Sequence, residues 1–149
     1  MAMLLIRKIN TGEYPAALSL VWSVFLQFEA PDYPARGSGA FKAAITDRAY
    51  LSTLEMWGAY LENSLIGVIA LRSHGSHIAL FFVDGAYHQR GVGRALFNTA
   101  LQNSSAKKIT VNSSHYAIDI YRHLGFVPLG PEQSAAGLRY MPMTYTRPT

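Results

Sequence analysis

"YHQRGVGRALF", residues Tyr87 to Phe97, sets two glycines and two arginines where an apolar run gives way to a helical pattern. The first N–H groups of a helix have no intrahelical partner, and the aligned peptide dipoles place partial positive charge there. Glycine at such a junction serves either a tight turn or the close approach of backbone to an anion. The flanking residues decide between the two.

Immediately upstream, His77–Val83 is a continuous apolar run with the length of a buried strand, and downstream the pattern of Val92–Asn103 is helical. Further along come a short strand at Ile109–Asn112, a helix at Ala117–Leu124, and strands at Phe126–Leu129 and Leu138–Tyr145. On the N-terminal side, Leu4–Ile9 is a strand. Tyr14, Ala17, Leu18, Val21, Phe25 and Phe28 then recur at helical spacing behind an Asn10–Glu13 capping box. That helix ends near Ala30–Pro31, and a loop, "APDYPARGSG", leads to a second helix at Ser38–Thr46. Glu55–Leu61 and Leu65–Arg72 form a hairpin around Glu62–Asn63. The order β-α-α-β-β-β-α-β-α-β-β describes an α/β chain, a mixed sheet with helices packed on it.

The chain has 149 residues, half of them hydrophobic and 15% charged, which suits one globular domain spanning 1–149. It contains no cysteine, so disulfides, thiolate metal sites and a cysteine nucleophile are excluded. No apolar run is long enough to cross a membrane, and no membrane partner is expected. The N-terminal MAMLLIRKIN places its charges after its apolar patch, the reverse of a secretory signal, so a cytoplasmic location is expected. The formal charge is +4, yet the cations form no block of the kind that grips nucleic acid. Arg90, Arg94, Lys107, Lys108 and Arg122 face only Asp84 and Asp119 in the stretch 84–125, a concentration that fits a small anionic ligand better than a duplex.

Two phosphate loops fail the pattern. A P-loop needs a Gly-Lys pair, which is absent, and the dinucleotide fingerprint needs a third glycine where Leu96 stands. A third pattern fits. "LFFVDGAYHQRGVGRALFNTAL", residues 80–101, resembles the acetyl-CoA-binding segment of the GNAT superfamily of N-acetyltransferases, with its [QR]-x-x-G-x-[GA] loop. "ITVNSSHYAIDIYRHLGF", residues 109–126, is similar to the second half of that family's cofactor site and carries its Y-x-x-L-G-F signature. The chain departs from the family at His88, where the leading Gln or Arg would fall, and at Ser114, where an Asn is usual, with Asn112 two residues away.

The resemblance implies a twisted, mostly antiparallel sheet that splays between its fourth and fifth strands, with helices on both faces and acetyl-CoA lying in the opening. It implies that the backbone of Phe81, Phe82 and Val83 pairs with the cofactor. Gln89, Arg90, Gly91, Val92, Gly93 and Arg94 would hold the pyrophosphate, with Asn112 and Ser114 completing the site. Arg90, Lys107 or Lys108 would neutralise the outer phosphate, or else be solvated surface charges. Tyr121 would act at the cofactor sulfur. A tyrosine near pKa 10 is a weaker acid than a thiol near 8.5, so hydrogen-bond donation is the role that suits it.

The attacking amine must lose a proton, and Glu29, Asp32, His77 and Glu55 are candidate bases, with Glu29 and His77 expected to be catalytic alongside Tyr121. The histidines show no metal-ligand spacing, and the transfer calls for no metal. "FEAPDYPARG" and "GLRYMPMTY" would wall the acceptor site, or form core or a homodimer interface. The expected activity is acetyl transfer to a primary amine, a small molecule before a protein N-terminus. The rivals are a silent acyl-CoA sensor of the same fold and a small basic nucleic-acid-binding domain.

Overall fold

The computed structural model describes residues 3–148. Eight strands share one sheet: β1 Leu4–Lys8, β2 Glu55–Leu61, β3 Ser64–Arg72, β4 His77–Val83, β5 Lys108–Ser114, β6 Val127–Pro128, β7 Gln133–Ala135 and β8 Leu138–Thr146. Their order is β1-β2-β3-β4-β5-β8-β6, with β7 also on β8, and β4–β5 is the parallel pair. The helices are α1 Tyr14–Val24, α2 Ala35–Ile45, α3 Arg48–Leu51, α4 Val92–Gln102 and α5 Ile118–Leu124. Glu62 and Asn63 both take positive φ, as a two-residue turn between strands of right-handed twist requires.

Strand alternation builds two apolar layers, one on each face. Ile69, Leu71 and Val111 point toward α4 and α5, where Leu96, Phe97, Tyr121 and Phe126 meet them. Met56, Val68, Leu80 and Phe82 point toward α1 and α2, against Val21, Phe25 and Ile45. The helices therefore cover both faces, and the sheet is a mixed one.

β4 carries an irregularity. Ala70 of β3 pairs with Leu80 while Leu71 pairs with Ile78, so Ala79 is an inserted residue, a β-bulge. The bulge follows directly on the last residue that β4 shares with β5: His77↔Thr110 and Ile78↔Val111 pair, and beyond them the strands part. This also explains why β4 is not buried on both sides as its apolar run predicts. Ile78, Leu80 and Phe82 are buried, while Phe81 and Val83 stay partly exposed beside the opening.

Three further differences from the expected elements have local causes. After Val24 the helix widens into a π turn, Phe25–Glu29, in which Ala30 N–H donates to Phe25 O. The expected loop 30–39 is half helical, because α2 starts at Ala35 behind an extended Pro34. Gly37, which reads as a breaker, lies inside α2 because a Cβ there would run into the Gly137 carbonyl, with the Gly137 carbon at 2.9 Å. α3, capped by the Asp47 carboxylate accepting from Ala49 N–H (2.9 Å), and the short β7 were not expected at all.

The α2–Gly137 contact closes one wall of the molecule, with backbone against backbone and no side chain to yield. Gly37→Ala is therefore expected to cost about 1–3 kcal/mol, measured as a lower Tm; an unchanged Tm would mean that α2 does not press on the β7–β8 turn.

Candidate active site

Two backbone alternations meet at the opening between β4 and β5. Asp84 N–H donates to Ile66 O on β3 (2.8 Å). In an antiparallel ladder this turns the N–H and C=O groups of Phe81 and Val83 away from β3, into the opening, while those of Phe82 face β3. Of the three residues expected to offer backbone there, two do. Phe82 contributes its side chain instead.

The glycine loop stands at the end of the same strand. Asp84 accepts from Ala86 N–H (2.9 Å), and the chain turns through Gln89 and Gly91, both at positive φ, before α4 begins. Gly91 has φ +82° and open space where a Cβ would project. Ala95 N–H makes the first helical bond, to Gly91 O (3.0 Å), so the N–H groups of the turn before it lack intrahelical partners. Arg94 reaches across to donate to the His123 carbonyl at the end of α5 (2.8 Å), tying the start of α4 to α5.

A cavity of about 510 Å³ fills the space between this loop, Phe81–Val83 and α5. Gln89, Gly91, Val92, Gly93 and Arg94 line it; Arg90 does not, and its guanidinium lies 6.0 Å from the Tyr87 ring centre. A second cavity, of about 310 Å³, lies on the other side of the opening, between α1–α2, β4, β5 and the start of β8. The walls of both cavities include Glu29, Phe81, Phe82, Ala117 and Tyr121.

Tyr121 is held in an aromatic cluster, with ring centres 5.9 Å from Phe81 and 5.3 Å from Phe126. The residue is 5% exposed, and among the described residues its hydroxyl has no hydrogen-bond partner while not being sealed off, so it opens onto the cavities. Burial, and then the nearby Glu29 charge, push that hydroxyl above its ordinary pKa. The Glu29 carboxyl is itself raised to about 7, chiefly by burial; the Ser114 hydroxyl opposes the shift and the Asp32 charge adds to it. The π turn is what brings Glu29 here, at the end of α1.

The other expected residues fall elsewhere. Asn112 and Ser114 line the smaller cavity with Tyr121, not the one beside the glycine loop. Lys107 and Lys108 stand at the start of β5. β4 and β5 are parallel, so these lysines lie at the opposite end of the sheet from the loop, on the order of 20 Å away along the strand. His77 sits where the strands are still paired; its Nδ1 meets Thr110 Oγ1 at 2.8 Å, and burial, then Arg72, lower it to about 4. It lines neither cavity. Glu55 pairs with Lys8 (3.4 Å) at the outer end of β2, and Asp32 is exposed. His88, flagged only as a departure, proves well placed: its Nε2 lies 2.7 Å from Val83 O, which can only accept, so Nε2 carries the proton. Phe28 lies between His88 (4.7 Å) and Tyr116 (5.4 Å), an aromatic row across the cleft that helical spacing showed only as core. Among the described residues no group of acids and histidines could hold a metal, and no helix is long and apolar enough to cross a membrane.

Glu29 gives the site a pH signature. Its folded pKa, about 7, lies above the ordinary carboxyl value of 4.5, so the folded state holds that proton more tightly than the unfolded chain. The stability this confers is full below the unfolded value and lost as pH rises through about 7. Glu29→Gln is expected to match wild-type Tm at pH 4 and exceed it by a few degrees at pH 8; a difference independent of pH would show that Glu29 is not raised.

Residues 29–147 match the acetyltransferase (GNAT) domain family. A GCN5-related N-acetyltransferase structure from Rhodopseudomonas palustris has a TM-score of 0.82 at 22% identity, over 98% of this chain and 97% of its own. Apo YjaB from Escherichia coli gives 0.75 at 20%, over 98% and 99%. The PaiA N-acetyltransferase from Thermoplasma acidophilum, solved with coenzyme A, gives 0.72 at 14%, over 97% and 99%. No curated protein matches in sequence. With the family match covering most of the chain and the sheet parting as described, the protein is a member of the GNAT acetyltransferase superfamily.

Proposed function

We propose that the protein transfers an acetyl group from acetyl-CoA to a primary amine, the two substrates entering from opposite sides of the β4–β5 opening. One observation carries this: two cavities that meet at a carboxylate raised to about 7 and a tyrosine hydroxyl without a partner among the described residues. The larger cavity fits an acyl-CoA by its chemistry. The N–H and C=O groups of Phe81 and the N–H of Val83 offer a strand edge to the pantetheine amides, Val83 O being taken by His88. The unpartnered N–H groups at Gly91–Arg94 offer donors to a pyrophosphate. Bound there, the cofactor supplies a thioester-activated acetyl group.

The chain's own groups account for the rest. Val83 N–H points into the opening, where it can donate to a carbonyl oxygen as negative charge builds on it. Glu29, half ionised near neutrality, accepts the proton that the attacking nitrogen must shed. Tyr121 keeps its proton and donates a hydrogen bond to the departing sulfur. The two are coupled: when Glu29 is protonated, its charge no longer holds the Tyr121 hydroxyl up, so Tyr121 becomes a better donor as the sulfur needs one.

Release of CoA thiol in the presence of a broad amine panel tests the activity; acetyl-CoA binding with no release from any amine would mark a sensor instead. Tyr121→Phe is expected to lower kcat by about 10²-fold while calorimetric affinity for acetyl-CoA stays within about twofold. An unchanged kcat removes Tyr121 from the chemistry. The rate should rise with pH through about 7 as Glu29 ionises, and Glu29→Gln should abolish that inflection.

A further inference from the structure

The smaller cavity carries chemistry of its own. Its wall is built from the rings of Phe25, Tyr33, Phe41, Tyr50, Phe82 and Tyr140, with Ile45, Leu80 and Leu138 between them. Phe25 and Phe41 stack at 4.2 Å between ring centres, and Phe41 tilts onto Phe82 at 5.8 Å, so the aromatic end is a packed surface and not a set of loose side chains. Only two charged residues line it among the described residues, Glu29 and Arg139. Arg139 is already engaged, its Nε 3.2 Å from Glu132 Oε2. Glu29 stands at the junction with the larger cavity, beside Tyr121.

We infer that this cavity takes a small primary amine carried on an apolar, aromatic body, with the nitrogen at Glu29 and the body among the rings. The inference rests on the acetyl-transfer reading above and narrows its acceptor. One carboxylate at one end recognises one ammonium. A second ammonium on the same molecule would have to lie against rings and aliphatic side chains, or beside the Arg139 guanidinium, with no second acid among the described residues of the lining to pair it; burying it there is unfavourable. A polyamine or an aminoglycoside is therefore a poor acceptor. A carboxylate on the acceptor gains little, because Arg139 is held by Glu132. The volume of about 310 Å³ lies at the small end of ligand cavities, which suits a single ring with a short arm.

The test compares 2-phenylethylamine and tyramine with butylamine, phenylalanine, spermidine and kanamycin, using CoA thiol release with acetyl-CoA in excess. The two arylalkylamines are expected to exceed butylamine in kcat/KM by about tenfold or more, the scale set by lost apolar contact, and to exceed spermidine and kanamycin by a wider margin. In the absence of acetyl-CoA, 2-phenylethylamine should raise the Tm of the wild-type protein, and spermidine at equal concentration should not. Phe41→Leu keeps an apolar side chain in the packed wall and should narrow the 2-phenylethylamine to butylamine ratio. Faster turnover of spermidine, kanamycin or phenylalanine than of the arylalkylamines overturns the inference and leaves acetyl transfer standing. Acetyl-CoA binding with no CoA release from any amine overturns both.

Discussion

β4 and β5 share two residue pairs and then part, and the rest of the molecule is arranged around that parting. The cause is local. Ala79 is an extra residue in β4, placed one step after the last pair, and a bulge bends and twists the strand that carries it. β4 remains anchored to β3 through Val83, so it cannot follow β5. β5 in turn is held over its whole length by β8, from Lys108↔Thr146 to Ser114↔Tyr140. Two strands fixed to different partners, with a bulge between, leave backbone groups of Phe81 and Val83 facing a space. Unpaired backbone polar groups away from water are costly. Here one of them, Val83 O, is satisfied by His88 from the loop that follows, and the others are the natural seat of an extended ligand.

Much of this was readable from the chain. The strand, glycine loop and α4 follow from an apolar run, a pair of glycines and a helical repeat that are contiguous, so short-range rules cover them. Tyr121 also follows, since Tyr121, Leu124 and Phe126 share one short stretch around a helix end at Gly125 (φ +105°). What was not readable depends on long-range geometry. Lys107 and Lys108 are near the loop in sequence but at the other end of the sheet, because parallel strands put their starts together and their ends together. Local cation density is therefore a poor guide here: of the five cations in that stretch, only Arg94 lines the cavity beside the loop. His77 was a reasonable base by residue type; only strand pairing reveals that it sits in the closed part of the sheet, against Thr110.

Glu29 shows the opposite case. Among the four candidate bases the sequence favours it and His77 over Asp32 and Glu55 but does not decide between those two, since whether an acid after a helix is solvated or enclosed depends on how that helix ends. The ending is a π turn, with a bond from Ala30 N–H to Phe25 O, and it leaves Phe25 stacked under Phe41 while Glu29 faces Tyr121. A regular α-helical count predicts a helix ending in the same place but says nothing of the widened turn. Similarly, Gly37 and Gly39 read as a loop because glycine weakens helices, whereas at Gly37 the missing side chain admits the Gly137 backbone.

The placement of charge completes the division between the two sides. On the donor side the favourable features are neutral and fixed: peptide N–H groups at the start of α4 and along β4, with Arg94 spent on tying α4 to α5. An anion held by oriented peptide dipoles needs no mobile cation to be ordered around it. On the proposed acceptor side a single acid, Glu29, lines the cavity where water is scarce enough to raise it to about 7, and the aromatic wall behind it keeps water scarce. Burial raises Glu29 and Tyr121 together, and the Glu29 charge raises Tyr121 further, so each proton taken up by Glu29 changes what Tyr121 can do. Replacing the wall by polar side chains would hydrate Glu29, return it toward the ordinary carboxylate range and weaken it as a base near neutrality. In the proposed reaction, the apolar wall that would select the acceptor is thus the same element that raises Glu29, which would tie the choice of substrate to the chemistry performed on it.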